Sequence, residues 1–387
     1  MRMKTVAYVI RPAEGGMLRH LIDLIRNLDR NIYSPVVLSP PGNELTIPLR
    51  SVGAEIIEID MAGNPDLARD MGSVKRIATA LTALSPDIVH AHSSKAGLLT
   101  HLAVKRSRVN AKTVFSVHNY PSYMNQDSLR RTVSSMAMRG VLEGAAAVIA
   151  VSGDIKKYLV ESENAEAGKI DVIYNGIDIE SFAGYAKKTQ GMALRERLGI
   201  AKKAPVIGAA GRFVPAKGFD VLLNAVPALA GKMPGLKVVI AGSGPLEQKL
   251  KQQAASLGVL QTVLFTGRVE DLRPYYAMSD VFVVPSRSEP FGLIVLEVMA
   301  LGRPLVATRA GGIPEIVNNR ETGLLVTPED IGQLALAIKS QFMDRKNAAA
   351  MAAEALRVVQ EKFSIAQTAA LTQEVYAKVS PHETVRD

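Results

Sequence analysis

The sequence predicts an α/β protein made of two doubly wound, parallel-sheet, Rossmann-like domains. Short apolar, β-rich runs alternate with helix-length amphipathic segments almost from end to end, the pattern of βα units around parallel sheets. A chain of 387 residues exceeds what one ordinary core fills, so two cores are expected. A polar, helix-breaking passage at 174–190, with Asn175-Gly176 and a Lys-Lys pair, divides the alternation into two series.

In the first series, strands are expected at 5–10, 35–38, 55–59, 88–91, 113–117, 147–150 and 171–173, with helices between most of them. The second series begins at Pro205, with strands at 206–210, 237–241, 263–265, 281–284, 305–308 and 324–326. After Gly332 three helical stretches end the chain. The last, about 365–379, has the spacing of a helix packed on something and is expected to return to the first domain. The expected domains are therefore 1–182 with the returning segment 365–387, and 190–362.

Composition narrows the classes. The chain is 48% hydrophobic and 21% charged, which is globular, and 5% aromatics with no Trp argue against a surface that stacks sugar rings or bases. No Cys is present, which excludes disulfides, thiolate metal sites and a Cys nucleophile. The apolar run at the N-terminus stops at Arg11-Pro12, too short for a signal peptide, and no later run approaches the roughly 18 residues of a membrane span. A cytoplasmic protein is expected. The net charge of +9 suits nucleotides, membrane surfaces or nucleic acid without choosing among them.

Ligands of open parallel sheets sit beyond the carboxyl ends of the strands, so the loops after the strands carry the argument. Gly15-Gly16 precedes a helix starting near Met17, where missing side chains would let a phosphate reach free N–H groups; taken alone, the Gly pair fits a tight turn without a ligand better. The loop 211–218 holds Arg212 and Lys217 beside another helix start, machinery for a departing diphosphate or else solvated surface charge. It lacks the order of a P-loop. The most specific segment is 286–300. Pro290 and Gly292 break the chain after a strand, and Leu293 opens a helix apolar on almost every side except at Glu297. A buried carboxylate needs partners, either ribose hydroxyls or a structural ion pair. Glu289 lies just ahead, on the loop. A second Gly pair, Gly311-Gly312, precedes another short helix.

Arg212 with Lys217, Glu289-Pro-Phe-Gly-Leu-Ile-Val-Leu-Glu297, Ala310-Gly-Gly-Ile-Pro-Glu315 and Asn175-Gly-Ile-Asp178 together resemble the family 4 retaining glycosyltransferases. The resemblance is ordered along nearly the whole chain, more specific in the second half than in the first. It implies the GT-B fold, two Rossmann-like domains facing a central cleft, with the acceptor read by the first domain and a nucleotide sugar held by the second. It implies that Glu289 contacts the transferred sugar, Glu297 the ribose, and Arg212 and Lys217 the diphosphate, with Phe291, Gly292 and Leu293 in the donor-binding loop. Gly15 and Gly16 would meet the distal phosphate, and His118, just past the fifth strand, would lie near the reaction centre. A lone His at a strand end is otherwise structural. The implied reaction retains anomeric configuration, with UDP as the expected nucleotide and no cofactor.

Fixed cations and helix N-termini would replace the metal used by other transferases. His90 and His92 project to one face of a strand, as two ligands might, but no Asp/Glu-rich element nearby completes a set, so no metal is expected. His92-Ser93-Ser94 is assigned to the acceptor. Three alternatives are weighed. A nicotinamide-dependent dehydrogenase lacks its GxGxxG after the first strand, and Gly242-Ser243-Gly244 lacks the third glycine. A sugar-nucleotide 2-epimerase shares architecture and donor class, and a non-catalytic nucleotide-sugar-binding protein would not need all four of Arg212, Lys217, Glu289 and Glu297. Finally, 95–139 holds eight basic residues against one acidic, Asp127. With Val133, Met136 and Met138 on an expected helix, this stretch suits peripheral contact with an anionic membrane, or equally a solvated face. No nucleic-acid partner is expected.

Overall fold

A computed structural model describes residues 2–11, 16–62, 66–120, 128–185 and 189–381. The chain forms two compact units, Met1–Gly176 with Ile365–Asp387, and Ile177–Ser364.

The first unit runs β1 (Lys4–Ile10), α1 (Gly16–Arg26), β2 (Tyr33–Ser39), α2 (Asn43–Ser51), β3 (Glu55–Glu58), α3 (Leu67–Leu84), β4 (Ile88–His92), α4 (Ser94–Ser107), β5 (Lys112–Val117), α5 (Ser128–Gly144), β6 (Ala147–Ala150), α6 (Gly153–Glu163) and β7 (Ile170–Val172). The strands form one parallel sheet in the order β3-β2-β1-β4-β5-β6-β7. Because side chains alternate along a strand, β1 feeds two cores: Val6, Tyr8 and Ile10 pack with Leu21, Leu24 and Ile25 of α1, while Ala7 and Val9 pack with Ile77 and Leu81 of α3 and with Leu99 of α4.

The second unit runs α7 (Glu180–Ala183), α8 (Thr189–Arg197), β8 (Val206–Ala210), α9 (Phe219–Ala230), β9 (Lys237–Ala241), α10 (Glu247–Ser256), β10 (Val263–Phe265), α11 (Arg273–Met278), β11 (Val281–Val284), α12 (Leu293–Ala300), β12 (Leu305–Thr308), α13 (Ile313–Ile316), β13 (Leu324–Val326), α14 (Ile331–Met343) and α15 (Arg345–Lys362). Its parallel sheet has the order β10-β9-β8-β11-β12-β13. Every expected strand forms, with ends within about two residues of the expectation. The crossing from the first unit to the second falls at Gly176–Ile177; α7 lies within the passage expected as a linker and α8 begins at its end.

The final helix, α16 (Ile365–Val379), packs on the first unit, burying Ala369, Val375 and Tyr376 in the core under β1 and α1. Thr368 Oγ1 donates to Tyr174 O at 2.8 Å, and Lys4 Nζ donates to Ser380 O.

The basic stretch 95–139 is less uniform than its sequence implies. Lys95 is spent on an ion pair with Asp70 at 2.8 Å, and Met138, expected on the lipid-facing side, is 2% exposed because that face of α5 packs inward. Val133 and Met136 are 60% and 67% exposed, and Lys105, Arg106, Arg108, Lys112 and Arg139 are exposed as well. Residues 121–127 lie outside the described residues. No described helix is long and apolar enough to cross a membrane.

Candidate active site

In each sheet the chain winds outward in both directions from one central pair, β1 with β4 and β8 with β11. At such a switch the loops leaving the two strands diverge and open a crevice at their carboxyl ends. The residues singled out from the sequence fall on these loops and next to them: Gly16 after β1, His92, Ser93 and Ser94 at the end of β4, His118 after β5, Arg212 and Lys217 after β8, and Glu289 and Glu297 in the loop and helix after β11.

In the second unit, the loop leaving β8 is held in shape by the loop leaving β9. Gly211 N donates to Ala241 O at 2.9 Å, Phe213 N to Ser243 O at 2.8 Å, and Leu246 N to Phe213 O at 3.0 Å. The approach is so close that a Cβ on Gly242 would stand 1.9 Å from Gly211 O, and one on Gly244 would stand 2.7 Å from Phe213 O. Gly242-Ser243-Gly244 is therefore the wall behind the Arg212 loop. Phe213 turns inward, fully buried against Phe219 and Phe265, and its neighbour Arg212 is exposed. Arg212 has no ion-pair partner among the described residues.

The loop leaving β11 is bound to the same platform. Arg287 N donates to Ala216 O at 2.8 Å, and Gly218, with φ +63, lies so close to Pro285 that a Cβ would sit 2.0 Å from its carbonyl oxygen. Arg287 clamps both carboxylate oxygens of Asp220 at 2.8 and 2.7 Å, and this holds the Asp220 carboxyl below its usual range. It also pairs with Glu329 at 2.8 Å. The clamp joins the start of α9 to the β11 loop, so the two loops have a fixed spacing.

On this platform Lys217 Nζ donates to Glu289 Oε2, and Ser286 Oγ adds a hydrogen bond to the same oxygen at 3.3 Å. Glu289 is buried, and its backbone O accepts from Gly312 N at 2.9 Å, tying in the loop after β12. Lys217 and Glu289, 72 residues apart in sequence, are thus direct partners. Gly292, with φ +109, opens α12. Phe291 is buried with its ring 6.3 Å from that of Phe363, so its side chain is committed to the core, and Leu293 is half-buried. Glu297 is buried on α12, where the Tyr276 hydroxyl of α11 donates to its Oε2. A structural partner of Glu297 is present, then, and it is a phenol.

In the first unit Gly16 is the first residue of α1 and is exposed; Gly15 lies outside the described residues. His92 ends β4, and His118 follows β5. Their rings stack at 21°, with His92 Nδ1 3.0 Å from His118 Nε2. Ser93 has φ 83 and ψ 155, a region that side chains rarely occupy, and its buried hydroxyl has no hydrogen-bond partner among the described residues. Ser94 begins α4.

Sequence reasoning missed His20. It sits one turn into α1, buried, with its ring 5.1 Å from His118 and 6.0 Å from His92. Its placement on the buried stripe of an amphipathic helix, next to the Gly pair, was the available signal. His90 does share a face with His92, at 4.2 Å between ring centroids, but it is turned to other work: Nδ1 meets the Tyr376 hydroxyl at 2.6 Å and Nε2 the Ser116 hydroxyl at 2.8 Å. Burial pushes the His20 imidazole down to about 4 and that of His90 to about 3. His92 and His118 also lie well below the usual histidine range, first through burial and then through neighbouring imidazoles. All four rings are neutral at neutral pH.

Residues 14–181 match the family model described as Glycosyltransferase Family 4, and residues 192–358 match Glycosyl transferases group 1. Among curated relatives, D-inositol 3-phosphate glycosyltransferase of Mycobacterium marinum is 32% identical over 71% of this chain and 59% of its own length. GDP-mannose-dependent alpha-(1-6)-phosphatidylinositol monomannoside mannosyltransferase of Mycolicibacterium smegmatis is 37% identical over 46% of this chain and 48% of its own. The chain thus spans between about half and three-fifths of the length of these relatives. Among solved structures, a glycosyltransferase from Rickettsia africae aligns with TM-score 0.83 at 24% identity, covering 99% of this chain and 100% of that one. HepE of Anabaena in complex with UDP-glucose aligns with TM-score 0.83 at 23% identity, covering 97% and 100%.

Proposed function

The chain belongs to the family 4, group 1 glycosyltransferases, with the GT-B fold, and from that premise we propose that it is a retaining, metal-independent glycosyltransferase. Its donor is a nucleotide diphosphate hexose, and its acceptor is a hydroxyl of a cell-envelope glycan or lipid-linked intermediate. The pairing of Lys217 with Glu289 carries this reading. A cation for the leaving diphosphate and a carboxylate for the sugar that leaves it lie in direct contact, at the switch point of one sheet, beside the exposed Arg212.

In the reaction the bond from the anomeric carbon to the diphosphate oxygen breaks and a bond to the acceptor oxygen forms on the same face. The acceptor proton passes to the departing diphosphate. Arg212 and Lys217 stabilise the charge that builds on the diphosphate. In the first unit, the N–H groups at the start of α1, at Gly16, are suited to a phosphate. Glu289 holds sugar hydroxyls as the anomeric centre turns cationic, Gly292 and Leu293 bring backbone to the donor, and Glu297 accepts from ribose. His118 serves at the sugar, and His92, Ser93 and Ser94 face the acceptor.

UDP is preferred for the base because solved neighbours of the same fold hold UDP or UDP-glucose, while the name of one relative specifies GDP-mannose. The exposed Val133 and Met136 with the basic residues of α4 and α5 support peripheral contact with an anionic membrane surface. Incubation with a panel of UDP- and GDP-sugars and candidate acceptors, read by mass spectrometry, tests the proposal. Glycosylated acceptor is expected. An epimerised donor formed without acceptor would favour the 2-epimerase, and donor binding without turnover would reduce the protein to a binding module.

A further inference from the structure

The four neutral imidazoles, His20 of α1, His90 and His92 of β4 and His118 just past β5, exceed what the reaction uses. Three of them, His20, His92 and His118, each offer a ring nitrogen, and these nitrogens all lie within 4.8 Å of one another. We propose that His20, His92 and His118 form a site for one borderline divalent cation of the zinc class.

Hydrogen bonding within the cluster is incomplete. His92 Nδ1 and His118 Nε2 face each other at 3.0 Å, with one proton between them. Whichever ring carries that proton, His92 Nε2 and His20 Nδ1 are buried with no hydrogen-bond partner among the described residues. Each such atom is unfavourable in an apolar interior, and a tautomer shift that turns lone pairs toward a shared cation relieves part of that cost. The donor set selects the metal. Neutral imidazoles without carboxylate or carbonyl ligands suit zinc, cobalt, nickel or copper and not magnesium or calcium.

The three ligands come from three separate elements: α1, the end of β4 and the residue just past β5. Zinc–nitrogen bonds of about 2.0–2.1 Å require nitrogens roughly 3.4 Å apart, so side-chain rotations of about an ångström close the set. A fourth position stays open for water or a ligand oxygen. His90 is not a ligand, because Tyr376 and Ser116 already engage both of its nitrogens. The site needs nothing from the transferase reading. Only its effect on activity rests on that reading, since a cation on His118 would withdraw the residue from the sugar and inhibit transfer.

Tag-free protein dialysed against micromolar zinc should retain about one equivalent per chain, measured by atomic emission. Cobalt in its place should give the intense visible bands of a four-coordinate ion. His20→Gln and His92→Gln, each checked for a native circular-dichroism melt, should bind at least about tenfold more weakly, and His101→Gln, on α4 away from the cluster, should bind like wild type. The proposal is overturned if wild type retains no zinc, if cobalt shows only weak octahedral bands, or if both cluster variants keep full affinity. The cobalt spectrum of wild type decides the matter should a variant fail to fold. Zinc that binds as expected yet leaves transfer at its full rate supports the site and removes His118 from the reaction, so the two readings fail separately.

Discussion

Glu289 and Glu297, eight positions apart on one loop and helix, are expected to answer substitution differently because their partners differ. Glu289 shares a contact with Lys217; on the proposed reading, an arriving diphosphate would take over the lysine and free the carboxylate for the sugar. Glu289→Gln should lower kcat roughly 30- to 150-fold, about 2–3 kcal/mol of charge-assisted bonding used in the transition state, with free nucleotide affinity little changed. A wild-type turnover rate in steady-state assays would end the sugar-side assignment. Glu297→Gln should weaken nucleotide and donor alike and raise KM. Calorimetry with free nucleoside diphosphate checks it beside Tyr276→Phe. If both variants only lower the melting temperature, Glu297 is a core partner of Tyr276 and no more. Both carboxylates were legible in the sequence from their setting on a loop and in an apolar helix. Tyr276 as a partner and His20 as a neighbour of His118 were not, since each contact joins segments whose proximity depends on the finished sheet.

Elements were read better than their contacts. Strands stand out where short β-branched runs are bounded by breakers, and this located all seven strands of the first sheet and all six of the second. The helix α8 escaped because only Gly191, Leu194 and Arg195 of its nine residues are buried, too few for a visible stripe. It is held instead by backbone: a Cβ on Gly191 would lie 2.6 Å from the Ala277 carbonyl, and Arg195 Nε donates to Met278 O at 2.8 Å. Likewise Gly242 looks like half of a dinucleotide fingerprint until the Arg212 loop is seen pressed against it. Gly242→Ala should therefore cost on the order of 3 kcal/mol in denaturant unfolding and loosen nucleotide binding by shifting Arg212. Gly258→Ala, with φ +69 and nothing within 4 Å, should cost only about 1 kcal/mol and leave binding alone. Equal penalties at the two positions would show that the β9 loop does not brace the β8 loop.

For the molecule as a whole, the fixed cations predict that transfer survives excess EDTA and needs no magnesium or manganese; loss under chelation, restored by one metal, would overturn the mechanism. The surface around Val133 and Met136 predicts co-sedimentation with anionic vesicles at low salt, released as salt rises, and sedimentation no greater than with neutral vesicles would remove that role. The path of the chain through its two units has a further consequence. Tyr376 of α16 fills the first core and hydrogen-bonds His90 and Tyr8, yet it is synthesised after the whole of the second unit. On the ribosome the early unit must wait, with the apolar surface under β1 and α1 uncovered, while the later one is made and can close first. A chain stopped at Ser364 should then give a protease-resistant second unit joined to a first unit that is cut readily, and adding the missing helix as a separate peptide should restore resistance. In that case the order of assembly runs against the order of translation, because a helix made after the second unit completes the first.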